Sequence, residues 1–543
     1  MMVSMEGNGG DLALAALTAY GVGELFTLNG AHIWPLYDAC RRTDVRILDT
    51  RHEETAAFAA EGMAKLTRRP GVAALTAGPG VTNGVSPVAS AQSSGAPLIV
   101  LGGRAAATKW GQGSLQEFDH IPLMTPITKY AATALTTDEI AGVVGAAAAA
   151  AMTPHRGPAF VDIGIDVIFG QSTGPVEVPA PVAGSGAASP DADEVARAAA
   201  LLAGADRPLL VCGGDVWWNR AEDALRAAVE WLRVPTFVNG LGRGCLPADH
   251  ELAFARTRSF LKQADVVVVV GTPLDFRLSF GSFGDAQVVH VVDDPSQRAG
   301  HVPLAASPAG DVAAVLSAFA SYAGARADHE PWIAKLRDEE DARRAAEAAD
   351  LASDADPIHP ARIYGELRPR LDRDAVVVND GGDFVSFSGK FIDSYEPGCW
   401  LDPGPLGCLG TGLGYSIAAR LAHPDRQVVT LLGDGAAGFS LMDVDTLVRH
   451  NLPVVMVVGN NGIWALEKMP MQMIYGGWDA ACDLQPATRY DDVVKALGGA
   501  GETVSSPAEI GPALDRAFAS GVPYLVNVLT DPTVPYPRSS TLV

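Results

Sequence analysis

The stretch Leu431 to Ile463, LLGDGAAGFSLMDVDTLVRHNLPVVMVVGNNGI, leaves this chain few ways to fold. An apolar run, Val428 to Leu432, stops at Gly433-Asp434-Gly435, and a second, Leu452 to Val458, stops at Asn460-Asn461. Between them Phe439, Met442, Val444, Leu447 and Val448 recur at helical spacing and predict the apolar side of a helix. Strand, helix, strand is the unit of a parallel sheet, and ligands of open parallel sheets bind beyond the carboxyl ends of the strands. Asp434 offers a hard carboxylate there and Asn461 a neutral amide oxygen, a pair that suits Mg2+ better than a transition metal. The glycines let backbone N–H groups approach a phosphate at a helix start. Either half alone is an ordinary turn or cap. The two halves one crossover apart predict a metal–diphosphate clamp.

At 543 residues the chain exceeds what one core supports and predicts about three domains. Residues 1–170 show alternating strand and helix patterns, and the Pro/Gly/Ser/Ala-rich residues 171–192 read as a linker. A second α/β unit is predicted over 193–330, with strands at Pro208 to Cys212, Ala264 to Val270 and Val288 to Val292. A charged helical linker over 331–360 leads to a third unit, 361–530, and 531–543 read as a loose tail. Forty basic against sixty-three acidic residues give a net charge of −23, which argues against nucleic acid or an anionic membrane as partner. The six cysteines are scattered, with no C-x-x-C pair, so neither zinc nor a disulfide framework is indicated. With no leader pattern in MMVSMEGNGG and no long apolar run, a soluble cytoplasmic enzyme is the expectation.

Five further stretches carry chemistry. Arg51-His52-Glu53-Glu54 follows a strand and opens a helix; alone, such a run is a solvated helix start. Thr76-Ala77-Gly78-Pro79-Gly80-Val81-Thr82-Asn83 is a glycine-rich strand-to-helix turn, and Gly30-Ala31-His32 precedes both. Pro405-Leu406-Gly407-Cys408-Leu409-Gly410 reads as a Gly-rich helix entry, and Asn379-Asp380-Gly381-Gly382-Asp383 ends another apolar run.

Taken together these stretches resemble the thiamine diphosphate enzymes of the acetolactate synthase group, in which RHE precedes a helix, a T-x-GPG-x-TN turn follows, and GDG leads to NN. The resemblance implies an α/β fold of three tandem doubly wound parallel-sheet domains: pyrimidine-binding, central Rossmann-like and diphosphate-binding. It implies thiamine diphosphate and Mg2+ as cofactors, the metal held by Asp434, the Asn461 side chain and the Ile463 carbonyl. Gly433, Gly435, Ala436, Gly381, Gly382 and Asn83 would line the cofactor. Glu53, not Glu54, would hydrogen-bond N1′ of the aminopyrimidine, desolvated by Ala56, Ala57, Phe58 and Ala59. The Gly407 carbonyl would take the 4′-amino group and Leu409 would wedge beneath the bent cofactor. A homodimer or homotetramer is implied, because Glu53 of one subunit meets the clamp of another in such enzymes.

Within the group, Val238 to Gly244 followed by Pro247 to His250, and Gly271 to Arg277 followed by Phe280-Gly281, are similar to oxalyl-CoA decarboxylases and 2-hydroxyacyl-CoA lyases. So are Leu401 to Gly404, Gly438 to Met442 and the tail's Arg538-Ser539-Ser540. This implies cleavage of the C1–C2 bond of a 2-hydroxyacyl-CoA to formyl-CoA and an aldehyde or ketone. Glu467 is then the candidate base, Gln116 and His32 orient oxygen atoms, and Arg277, Arg538 and Trp464 meet the CoA thioester. Leu115-Gln116 instead looks like the Phe-Gln of acetolactate synthases, so an acetolactate synthase or other 2-keto acid carboligase is the alternative, with oxalyl-CoA decarboxylase another. ADP or FAD in the central domain has no motif to support it.

Overall fold

The computed structural model describes residues 3–181 and 187–537. Two six-stranded parallel sheets flank a five-stranded one. The first is built from β2 (Glu24–Thr27), β3 (Arg46–Asp49), β4 (Gly71–Leu75), β5 (Leu98–Arg104), β6 (Tyr130–Ala134) and β7 (Ala159–Gly164), in the order β3-β2-β4-β5-β7-β6. The central sheet holds β9 (Pro208–Cys212), β10 (Thr236–Val238), β11 (Ala253–Phe254), β12 (Val266–Val270) and β13 (Gln287–Val291), in the order β11-β10-β9-β12-β13. The third, β14 (Val376–Asp380), β15 (Trp400–Leu401), β16 (Val428–Gly433), β17 (Val455–Asn460), β18 (Ala500–Val504) and β19 (Tyr524–Leu529), runs β15-β14-β16-β17-β19-β18 and so repeats the first sheet's topology. Helices cover both faces, which is why strands such as β12, five consecutive valines, read as unbroken apolar runs. The expected three-domain α/β architecture is the observed one.

The segment expected to be a linker carries β8 (Val176–Val178), which pairs antiparallel with β1 (Val3–Met5) at the start of the chain. The tail is packed as far as it is described: the Tyr536 N–H donates to Asp383 and its ring stands edge-on to Phe387. Arg538 lies outside the described residues. The helix after β16 is also not continuous. Asp434–Ser440, a 3-10 turn Leu441–Asp443 and Val444–Arg449 follow one another, so the 3.6-residue repeat is reset midway. Val444 and Leu447 are buried as expected, whereas Phe439 (52% exposed) and Met442 (55%) face outward.

The helix Glu53–Thr67 packs against Thr411–Ala422 of the third domain. A methyl at Gly414 would come within 2.7 Å of Phe58 Cβ, so glycine sets how close the two helices lie. A fully buried polar knot sits in this contact. Lys65 Nζ lies 2.8 Å from Glu61 Oε1 and donates to the Tyr415 hydroxyl at 2.7 Å; Tyr415 and Ser90 donate to Glu61. Lys65→Met strands the Glu61 carboxylate in the interior, and breaking a buried pair in this way costs about 3–5 kcal/mol. Chemical denaturation should show that loss; a change below about 1 kcal/mol, the range of an exposed pair, would mean that water reaches Glu61.

Candidate active site

Two strand ends meet at the candidate clamp. β16 ends at Gly433, and Asp434 begins the next helix with its carboxylate only 4% exposed. The Gly435 N–H donates to Asp434 Oδ1 (2.9 Å) and the Gly462 N–H to Oδ2 (2.6 Å), so one side chain joins the ends of β16 and β17. Burial pushes the Asp434 carboxyl up to about 6, against those backbone donors. A carboxylate so desolvated is short of positive charge, which a divalent cation would supply. Beside it Asn461 Oδ1 accepts from the Ile463 N–H at 3.1 Å, turning the chain so that residues 461–463 cap the clamp. Asn460, by contrast, is a buried strut whose Nδ2 donates to the Thr488 carbonyl and to Asn527. The motif's two asparagines therefore divide the work.

Close packing accounts for the glycines. A methyl at Gly435 would lie 2.4 Å from the Trp464 ring, and one at Gly382 would lie 2.4 Å from Leu466. Gly381, at φ +127, places the position of a missing Cβ 3.3 Å from Gly433 N and 3.6 Å from Ala436 Cβ. Gly407, at φ +71, has open space where its side chain would be, and Leu409 is half-buried nearby. Asp380 ties this loop down by accepting from the Gly410 and Gly412 N–H groups, and burial raises its carboxyl to about 7. These residues fit a metal-held diphosphate: a buried carboxylate and an amide oxygen stand at two neighbouring strand ends.

Glu53 is buried at the start of its helix and accepts from Asn83 Nδ2 at 3.0 Å. Among the described residues no hydrogen bond or ion pair joins it to the clamp of its own chain. Its half-buried neighbour Glu54 is the one turned toward the third domain of its own chain, with Oε1 3.7 Å from where a Gly410 Cβ would stand, and burial raises its carboxyl. His32 is buried with Nδ1 3.2 Å from Thr76 Oγ1; burial and the nearby His120 hold its imidazole below the usual value. Gln116 takes φ +61 and sits against Gly78, where a methyl would come within 3.0 Å of its Cβ.

Sequence reasoning missed what holds this turn. His120 is fully buried, accepts from the Gly78 N–H (3.1 Å) and faces Asp162, which also receives Arg104. It lies in irregular chain, where no periodicity marks a buried histidine. Tyr490, whose hydroxyl donates to the Asp434 carbonyl, was missed too, being remote in sequence from the clamp. Glu467 is exposed in the first turn of Ala465–Ile474, and its neighbour Lys468 pairs with Asp483 instead. Arg277 is committed to Asp275, with Nη2 to Oδ2 2.7 Å.

Comparison with known families matches residues 7–123 to the thiamine pyrophosphate enzyme N-terminal TPP binding domain, 195–319 to the central domain and 380–528 to the C-terminal TPP binding domain. The relative "Probable acetolactate synthase" of Mycobacterium bovis is 53% identical over 536 residues, 98% of this chain and 97% of that protein. The chain belongs to the thiamine pyrophosphate enzyme family. Its relatives in that family differ in reaction: "2-hydroxyacyl-CoA lyase 2" of Homo sapiens is 34% identical over 575 residues, 96% of this chain and 90% of the relative. The same name is carried by a Caenorhabditis elegans protein, 34% identical over 583 residues, 97% of this chain and 90% of the relative. The relatives weigh toward the carboligase that the sequence left as the alternative, and away from the lyase it put first.

Proposed function

We propose that this enzyme is a 2-keto acid carboligase of the acetolactate synthase kind, joining a decarboxylated 2-keto acid to a second carbonyl compound. The observation that carries the reading is the 53% identity along nearly the whole chain, with the "Probable acetolactate synthase" also supplying a counterpart for every domain. Bound thiamine diphosphate supplies an electron sink at its thiazolium carbon, which carbon–carbon cleavage or formation beside a carbonyl requires. Asp434, Asn461 and the Ile463 carbonyl hold Mg2+ against the diphosphate. Glu53, buried and oriented by Asn83, holds the proton shared with the pyrimidine ring. It acts on the clamp of a second copy, since Glu54 rather than Glu53 faces its own chain's Gly410. His32 stays neutral at pH 7 and, with Gln116, orients the substrate oxygen where negative charge develops.

The lyase is the second reading, and one feature favours it. A cavity of about 910 Å3 between the central and third domains is lined by Arg243, Arg256, Arg258, Arg277, Arg343 and Lys390, against Glu347, Asp350 and Asp402. In a chain of net charge −23, Arg243 and Arg258, the two of these cations that no carboxylate pairs among the described residues, suit the phosphates of a CoA thioester. Glu467 is the base in that reading. Incubation with Mg2+ and thiamine diphosphate, pyruvate in one arm and short 2-hydroxyacyl-CoA esters in the other, separates the two by mass spectrometry of the products. Acetolactate with carbon dioxide is expected. Formyl-CoA with no acetolactate would replace the carboligase by the lyase.

A further inference from the structure

At the carboxyl ends of β9 and β13 the central sheet meets the loop before β7 of the first domain. His155 Nδ1 lies 2.9 Å from Asp293 Oδ1 and 3.6 Å from Asp215 Oδ1. One donor atom from each of the three residues falls within 4.8 Å of the others. Both carboxylates are buried, Asp215 at 6% exposure and Asp293 at 2%. Among the described residues the Asp215 side chain receives no hydrogen bond, although it lines the crevice at this sheet's switch point. Asp293 Oδ2 has no partner either. Lys129 and Arg156 are close enough to influence Asp293, and Arg156 to influence Asp215 as well, yet among the described residues neither makes an ion pair with either acid, and Arg156 Nε and Nη1 are themselves unpartnered. Buried carboxylates are costly unless something positive touches them. Here the contact falls to one imidazole, shared by two acids.

We propose that His155, Asp215 and Asp293 hold a divalent transition-metal ion that ties the first domain to the central one. One imidazole nitrogen and two carboxylate oxygens suit Zn2+ or Mn2+ better than Mg2+ or Ca2+. With zinc bonds of about 2.0–2.2 Å, tetrahedral ligand atoms stand roughly 3.3–3.6 Å apart; the two distances from His155 Nδ1, 2.9 and 3.6 Å, bracket that spacing, and all three donors lie within 4.8 Å of one another. The imidazole is already aimed: a methyl at Gly95 would lie 2.7 Å from His155 Nε2, so the ring's far edge is packed and Nδ1 faces the acids. Water from the crevice completes the coordination. The site belongs to a different sheet from the Asp434 clamp and does not depend on which reaction the enzyme performs.

Equilibrium dialysis of the full chain against Zn2+, with Mg2+ and thiamine diphosphate saturating, tests this. The expected result is one Zn2+ per chain, weakened at least tenfold in Asp293→Asn and in His155→Gln, with Zn2+ raising the melting temperature of the unsubstituted protein only. His155 is partly exposed, so His155→Gln keeps the test decisive if Asp293→Asn fails to fold, which circular dichroism shows. Zn2+ uptake unchanged in the folded variants, or no saturable uptake by the unsubstituted chain, overturns the site and leaves a self-neutralised charge cluster.

Discussion

Glu53→Gln should lower turnover about 10²–10⁴-fold while leaving the protein folded and able to take up its cofactor, the range expected when a positioned acid–base group is lost. The substitution is nearly isosteric. The amide oxygen it introduces can still accept from Asn83 Nδ2, which donates to Glu53 Oε2 at 3.0 Å, so the helix start keeps its hydrogen bond. What disappears is the carboxylate oxygen that would exchange a proton with the pyrimidine ring. Steady-state rates with the product assay above, beside circular dichroism and cofactor titration, separate the two properties. Activity within twofold of the unsubstituted enzyme would remove Glu53 from the chemistry. Glu54→Gln supplies the contrast: Glu54 faces Gly410 of its own chain, and its loss should act on the wedge loop rather than on proton transfer.

Asp434→Ala should abolish metal-dependent retention of the cofactor. The side chain has two tasks, and alanine performs neither. It would hold the cation directly, and it accepts the Gly435 and Gly462 N–H groups that bring the ends of β16 and β17 together. Leaving a buried donor without a partner costs about 1–3 kcal/mol, so the Gly462 turn loosens as well. Because even partners behind the ligands change metal affinity by about 10–100-fold, loss of the carboxylate itself should exceed that. The Trp464 ring, packed where a Gly435 side chain would stand, gives a fluorescence signal for binding. Normal magnesium-dependent quenching by thiamine diphosphate in Asp434→Ala would refute the clamp.

Much of this was legible before any fold was known because it is local. A strand that ends in Gly-Asp-Gly fixes a carboxylate at a sheet's carboxyl edge, and the runs at Pro208–Cys212 and Val266–Val270 announce strands covered on both faces. Other expectations failed for physical reasons that can be named. Phe439 and Met442 fit a helix face only if the helix is unbroken, and the 3-10 turn at Leu441–Asp443 rotates them outward. The supposed linker gained β8 because β1, more than 170 residues away in sequence, offers it an edge to pair with.

The sequence by itself determined the family, and it located Asp434, Asn461 and Glu53 at a motif-bearing end of a strand or start of a helix. Only the tertiary structure decided that Glu54 rather than Glu53 turns toward its own chain's wedge loop, that His120 secures the Gly78 turn, that Lys65 and Glu61 meet Tyr415 between domains, and that His155 joins Asp215 and Asp293. Spacing along a chain records which face of one element a residue occupies; it does not record which residue of a distant element is packed against it.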